Sequence, residues 1–122
     1  MKKKLLLVDD SALARRSMRA ILEAEGFEVV EAKDGMAALE SYFLEKPDIV
    51  MLDLVMKGMY GLEVLDKLRE MDPTARVIVV SADVQESSHE LVASAGATAF
   101  IGKPVERERV LEVVHRVLAV AR

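Results

Sequence analysis

Four consecutive apolar residues, Leu5-Leu6-Leu7-Val8, run straight into two acids, Asp9 and Asp10. A run apolar at every position, rather than at alternate ones, suits a strand buried on both faces, and such strands belong to parallel sheets sandwiched by helices. The construction returns at Ile49 to Leu52, which ends in Asp53, and at Val77 to Val80, which ends in Ser81. Between these runs the period changes. From Ser11, Leu13, Met18, Ile21 and Leu22 recur at helical spacing until Gly26, where a helix-terminating glycine belongs. Phe27 to Ala32 then reads as a strand, and Gly35 to Glu45 as a helix closed off before Pro47. After a loop holding Gly58 and Gly61, Leu62 to Met71 is helical, and Asp72-Pro73 breaks the chain before the fourth strand. A helix over Gln85 to Ala95, a short strand Ala99 to Ile101 and a last helix from about Glu106 to Ala121 complete the pattern. Five strands alternating with five helices predict a doubly wound α/β fold, with a parallel sheet covered on both faces and one domain over residues 1–122.

The composition excludes several classes of function. With 52% hydrophobic residues and 31% charged, the chain has enough apolar content for a core and is not a disordered segment. Its formal charge is −4 and its only basic cluster is Lys2 to Lys4, read as a solvated N-terminus, so no nucleic-acid surface is expected. No apolar run approaches the roughly 20 residues of a membrane span, nothing resembles a signal peptide, and the absence of Cys removes disulfides and thiolate chemistry. A cytoplasmic protein is the expectation, with no membrane partner.

In open parallel sheets, ligands bind at the carboxyl ends of the strands. Here those ends carry Asp9 and Asp10, Asp53, Ser81, and Lys103 followed by Pro104. Three carboxylates converging on one edge repel one another unless a cation sits among them. A hard divalent ion answers that need. Mg²⁺ suits best, because it takes one or two carboxylates, keeps several waters and shares a phosphate oxygen. The Lys103 ammonium and the Ser81 hydroxyl can then hold further phosphoryl oxygens, and the remaining carboxylate can attack phosphorus to give an acyl phosphate. Taken singly, each residue has a plainer reading: an Asp after a strand caps a helix or makes a turn, with Asp10 and Ser11 competing to cap the first helix, and a lone Lys is solvated. Four of five strand ends carrying these types together point to a site.

The segments Leu7-Val8-Asp9-Asp10-Ser11, Ile49-Val50-Met51-Leu52-Asp53-Leu54, Val79-Val80-Ser81-Ala82 and Gly102-Lys103-Pro104 resemble, in order and spacing, the receiver domain of two-component response regulators, over the whole chain. The resemblance implies a flavodoxin-like strand order 2-1-3-4-5. It implies Asp53 as phosphoacceptor from a histidine kinase or histidine phosphotransfer protein, with Asp9, Asp10, Asp53 and the Val55 carbonyl around Mg²⁺. Ser81 and Phe100 match the family's switch residues, Lys103 its phosphoryl-binding lysine, and the bond before Pro104 is expected to be cis. On that reading Asp53, Ser81 and Lys103 at most serve the domain's own phosphorylation and dephosphorylation, and this is no conventional enzyme. Partner binding to a downstream output protein would change through the face of the helix from Gln85, the strand bearing Phe100 and the last helix. Ser11-Ala12 through Arg15-Arg16 is similar to the stand-alone chemotaxis-regulator branch.

Departures keep other readings open. The loop after the phosphoacceptor usually reads Met-Pro, two residues, Asp-Gly; here it is Met56-Lys57-Gly58-Met59-Tyr60-Gly61, with Lys57 for proline and Tyr60 for the acid. A receiver-fold scaffold that does not cycle phosphate is one alternative, and the receiver fragment of a larger regulator another. An aspartyl phosphatase would want its nucleophile at the first strand end with a second acid two residues on, and a flavin site would want a small, hydroxyl-rich loop there; neither is present. Asp83 either influences the hydrolytic water or caps a turn. His89 and His115 lack metal-ligand spacing and are read as exposed. The last helix carries an apolar stripe wider than one-sided burial needs, so Val113 or Val120 is either a partner surface or simply exposed.

Overall fold

A five-stranded, all-parallel sheet in the order β2-β1-β3-β4-β5 organises the molecule. In the computed structural model residues 2–54, 61–82, 90 and 92–120 are described. The strands are β1 (Lys4–Val8), β2 (Glu28–Ala32), β3 (Ile49–Asp53), β4 (Val77–Ser81) and β5 (Ala99–Gly102). Helices α1 (Ala12–Ala24), α2 (Gly35–Glu45), α3 (Gly61–Met71) and a C-terminal helix (Arg107–Ala119) alternate with them. Of the helix expected over Gln85 to Ala95, Glu90 and 92–94 are helical and the remainder up to residue 91 falls outside the described residues. The fold class is the one the periodicity predicts, and the strand order the one the receiver-family resemblance implies.

The central strands are buried throughout, as their unbroken apolar runs require: every residue of β3 and of β4 is buried. Alternation of side chains divides the interior into two cores. Leu6, Val8, Val50, Leu52, Val77 and Val79 face α2 and α3, where Val64, Leu65 and Leu68 meet them. On the other face, Leu5, Leu7, Ile49, Met51, Ile78 and Val80 meet Leu22 of α1 and the C-terminal helix. That helix buries Val110, Val113, Val114 and Val117. Val113 is therefore core rather than a partner surface, and its stripe is wide because half-buried Leu111 and Leu118 flank it. Val120, the C-cap residue, stays 54% exposed.

Local chemistry sets the element ends. Ser11, not Asp10, caps α1, its hydroxyl accepting from the Ala14 amide at 3.1 Å. Asp34 caps α2 through the Ala37 amide at 2.8 Å. Gly26 takes φ +92° just beyond α1, a left-handed turn that an L side chain would strain. Lys4 is no solvated tail residue: its amide donates to Asp48 Oδ2 at 2.8 Å, and its ammonium reaches Glu45 at 3.1 Å and Glu28 at 3.5 Å. At the other end of β1 the chain leaves the sheet at Asp9, whose amide still donates to the Ala32 carbonyl.

Candidate functional site

Asp9, Asp10 and Asp53 meet at the carboxyl edge of the sheet, one carboxylate oxygen from each lying within 4.8 Å of the others. Asp53 is the last residue of β3 rather than the residue after it, and is buried at 8% exposure. Asp9 is half-buried and Asp10 exposed. Register accounts for the meeting, because β1 and β3 are adjacent parallel strands paired from Leu5↔Ile49 to Val8↔Leu52 and so end side by side. The Lys103 ammonium sits 3.4 Å from Asp9 Oδ2 and 3.7 Å from Asp53 Oδ2. It is delivered by β5, whose exit is tied to the neighbouring strand by the Lys103 amide donating to the Ser81 carbonyl at 2.8 Å. The Lys103–Pro104 peptide is cis.

Ser81 ends β4 and is 1% exposed. The pleat puts Asp53 on the α1 side, in register with Val80, and Ser81 on the α3 side, so the two groups flank the strand edge from opposite faces. Phe100, in register with Val79, is half-buried against the α3-side core. Val55, the departing loop with Lys57 and Tyr60, Asp83 and His89 lie outside the described residues. His115 is exposed, its ring 5.8 Å from that of Phe27 and its Nε2 3.9 Å from Glu25 Oε2.

The donor set is a cluster of hard carboxylate oxygens, which fits Mg²⁺. The Lys103 ammonium lies at ion-pair distance from two of these three carboxylates, Asp9 and Asp53. Two further residues act on the site that spacing did not reveal. Arg15 donates from one guanidinium nitrogen to the Asp9 carbonyl at 2.5 Å and from Nε to Glu31 at 2.9 Å. Glu31 is also held by Arg19 at 2.5 Å. Its carboxyl lies below the ordinary range, chiefly through the Arg19 hydrogen bond, with Arg15 assisting against the opposing push of burial. Arg15 thereby fixes the backbone of an acid in the cluster.

The geometry has a counterpart in known proteins, since residues 5–115 match the family model for the response regulator receiver domain. The chain belongs to the response regulator receiver family. This receiver is 40% identical over 116 residues to the chemotaxis protein CheY of Bacillus subtilis, covering 94% of the chain and 97% of the relative. Identity with CheY of Thermotoga maritima is 39% over 118 residues, covering 96% and 98%. Among solved structures, the CheX–CheY–BeF3–Mg²⁺ complex from Borrelia burgdorferi superposes with a TM-score of 0.93 at 36% identity, covering 97% of this chain and 90% of that one. The receiver is thus of the CheY-like kind found in two-component signalling. No helix among its described residues is long and apolar enough to cross a membrane.

Proposed function

We propose that residues 1–122 act as one cytoplasmic receiver that switches on phosphorylation of Asp53, taking the phosphoryl group from the phosphohistidine of a histidine kinase or histidine phosphotransfer protein. The observation that carries this reading is the buried Asp53 carboxylate with the Lys103 ammonium 3.7 Å away and two further acids converging on it. An Asp53 carboxylate oxygen attacks phosphorus, the new P–O bond forms, and the P–N bond breaks with its electron pair returning to the imidazole. Lys103 neutralises one phosphoryl oxygen and the Ser81 hydroxyl donates to another. Asp9 and Asp10, with Asp53 and the Val55 carbonyl, would hold Mg²⁺, which when bound shields the charge gathering on the phosphoryl oxygens. The Borrelia relative's complex with Mg²⁺ and BeF3 supports that assignment. Hydrolysis by water at phosphorus restores the carboxylate.

Phosphorylation adds about −1.5 to −2 charge at this edge. Ser81 and Phe100, neighbours on β4 and β5 on the α3 side, are the groups through which that change reaches the face of β5 and the C-terminal helix, where an output protein would bind. Incubation with Mg²⁺ and acetyl phosphate, followed by intact-mass measurement beside Asp53→Asn, tests the reading. One phosphoryl adduct that needs Mg²⁺ and is lost in Asp53→Asn is expected. A folded wild-type protein with no adduct across short times overturns it in favour of a receiver-fold scaffold.

A further inference from the structure

The first turns of α1 stand over a gap in the packing. A cavity of about 280 Å³ lies there, with Ala14, Ser17 and Met18 of the helix above it and Leu7, Met51 and Val80 of the sheet below. Leu22, the buried residue of α1, is near the far end of the helix. A side chain facing a void has no partner atoms on that side, so apolar contact does less to fix the helix where it approaches Asp9 than where it leaves. Ion pairs take over at that end. Glu31 on β2 accepts from Arg15 Nε at 2.9 Å through one carboxylate oxygen and from Arg19 at 2.5 Å through the other. Sharing a carboxylate between two guanidinium groups fixes its orientation, and the carboxylate in turn fixes the planar fork of Arg15.

The second prong of that fork points at the site. Another nitrogen of Arg15 donates to the Asp9 carbonyl at 2.5 Å. This carbonyl belongs to the peptide that joins Asp9 to Asp10, and a peptide is a planar unit, so a donor anchored on its oxygen also orients the amide from which Asp10 departs. The Asp9 amide, one bond system earlier, donates to the carbonyl of Ala32, the residue after Glu31. The backbone of the acid pair is thereby tied to β2 on both sides of Asp9. The Asp9 carboxylate has supports of its own, the Ser11 amide at 2.9 Å and the Lys103 ammonium at 3.4 Å. What Arg15 adds is the setting of one acid relative to the next.

We propose that Arg15 is a positioning residue for the divalent-cation site, with Glu31 as its anchor, and that it acts through the Asp9 carbonyl to fix the angle between Asp9 and Asp10. Its effect on the ion rests on the metal reading above, whereas the ordering of the acid pair does not. Charge and positioning predict opposite signs. Arg15 places a cation beside the acids, so on charge alone its removal would tighten Mg²⁺ binding. Loss of a group that orients metal ligands weakens the metal, by roughly 10- to 100-fold.

Calorimetric titration of MgCl₂ into the metal-free protein compares the wild type with Arg15→Met and with Arg16→Met, the same charge change at an exposed neighbour on α1. Arg15→Met is expected to weaken Mg²⁺ about tenfold or more, and Arg16→Met to leave it within about twofold. Arg15→Lys keeps the charge without the fork and should weaken Mg²⁺ by about threefold; it carries the test should Arg15→Met fail to fold. Arg69→Met, which removes hydrogen bonds to the Gly96 and Pro73 carbonyls on the α3 side, controls for lost stability and should leave Mg²⁺ affinity unchanged. Affinity that is unchanged or tighter in the folded Arg15 variants, or equally weakened in Arg16→Met or Arg69→Met, overturns the proposal. A second measurement needs no metal: the ¹⁵N order parameter of the Asp10 amide should fall in the Arg15 variants and hold in Arg16→Met. Should the wild type bind no Mg²⁺ at all, the metal reading fails and this measurement decides the positioning, an unchanged Asp10 order parameter overturning it.

Discussion

Replacing Lys103 with Met removes the ammonium while keeping most of the side chain's length, and so isolates the charge balance of the site. The lost attractions are to Asp9 at 3.4 Å and to Asp53 at 3.7 Å. At an effective dielectric of about 20 each is worth roughly 4 to 5 kcal/mol before other terms. Lys103 is 29% exposed, against 14% for Asp9 and 10% for Asp53, so solvent screens part of this. The variant also escapes the desolvation of the ammonium, and a net loss of about 2–4 kcal/mol remains, because the acids are left facing one another. Saturating Mg²⁺ supplies the missing positive charge, so the deficit should fall below about 1 kcal/mol, and Mg²⁺ should stabilise the variant more than the wild type, as linkage requires of tighter binding. Urea denaturation followed by far-UV circular dichroism, in chelator and in Mg²⁺, measures all four stabilities. Adding Asp53→Asn should recover part of the chelator deficit, since it removes one of the mutually repelling acids. A deficit of the same size in both solutions, without recovery in the double variant, would refute the idea that Lys103, Asp9 and Asp53 form one electrostatic unit.

Three other substitutions have defined outcomes. Glu31→Gln should cost about 1 kcal/mol at neutral pH; because the folded carboxyl lies below its ordinary value of 4.5, that contribution is complete above this value and fades as pH falls through the lower folded value, so wild-type and variant stabilities should converge in acid. Gly61→Ala would put a Cβ 2.6 Å from Leu54 Cα and 2.8 Å from the Asp53 carbonyl, so β3 must shift at its end; a loss of about 1–3 kcal/mol in urea denaturation should come with slower phosphorylation in the acetyl phosphate assay. Arg69→Met removes donors to the carbonyls of Gly96, Pro73 and Ala75, which tie α3 to two loops; about 2–4 kcal/mol of stability should disappear in urea denaturation, given the strength of charged hydrogen bonds, with Mg²⁺ affinity unchanged.

The legible part of the molecule was local or repeated. Fully apolar runs marked β1, β3 and β4 because a strand buried on both faces has no polar position to interrupt it, and the convergence of Asp9, Asp10, Asp53 and Lys103 follows from parallel strands ending together. What escaped was lateral. Arg15 and Glu31 are 16 residues apart and become partners only because β2 lies beside β1 under α1. Lys4 read as a tail because Glu28, Glu45 and Asp48, its partners, come from three later segments. Val113 passed for surplus because the C-terminal helix buries Val110, Val113, Val114 and Val117 together, a broader stripe than one-sided burial needs. The cavity could not be read at all, since it depends on how far α1 stands from the sheet, and no hydrophobic period encodes that distance.

The two-core arrangement constrains how a charge change at Asp53 could be felt at a distance. β3 and β4 are buried at every residue and hydrogen-bonded to a strand on each side, so the strands themselves are held in place. Any response must therefore arise at the strand ends, where Asp53 faces the α1 side and Ser81 and Phe100 face the α3 side. The two sides differ in kind. The α1 side holds a cavity and a helix tethered by ion pairs, whereas the α3 side is anchored by Arg69 and by Tyr42 donating to Asp72 at 2.7 Å. A phosphoryl group on Asp53 would then draw Lys103 further in from the α1 side and Ser81 across the strand edge from the other. On the proposed reading, a displaced Ser81 would leave space beside half-buried Phe100, the kind of discrete repacking that would turn a local charge into a two-state surface. A sheet held this way would be the fixed frame against which those few edge groups rearrange.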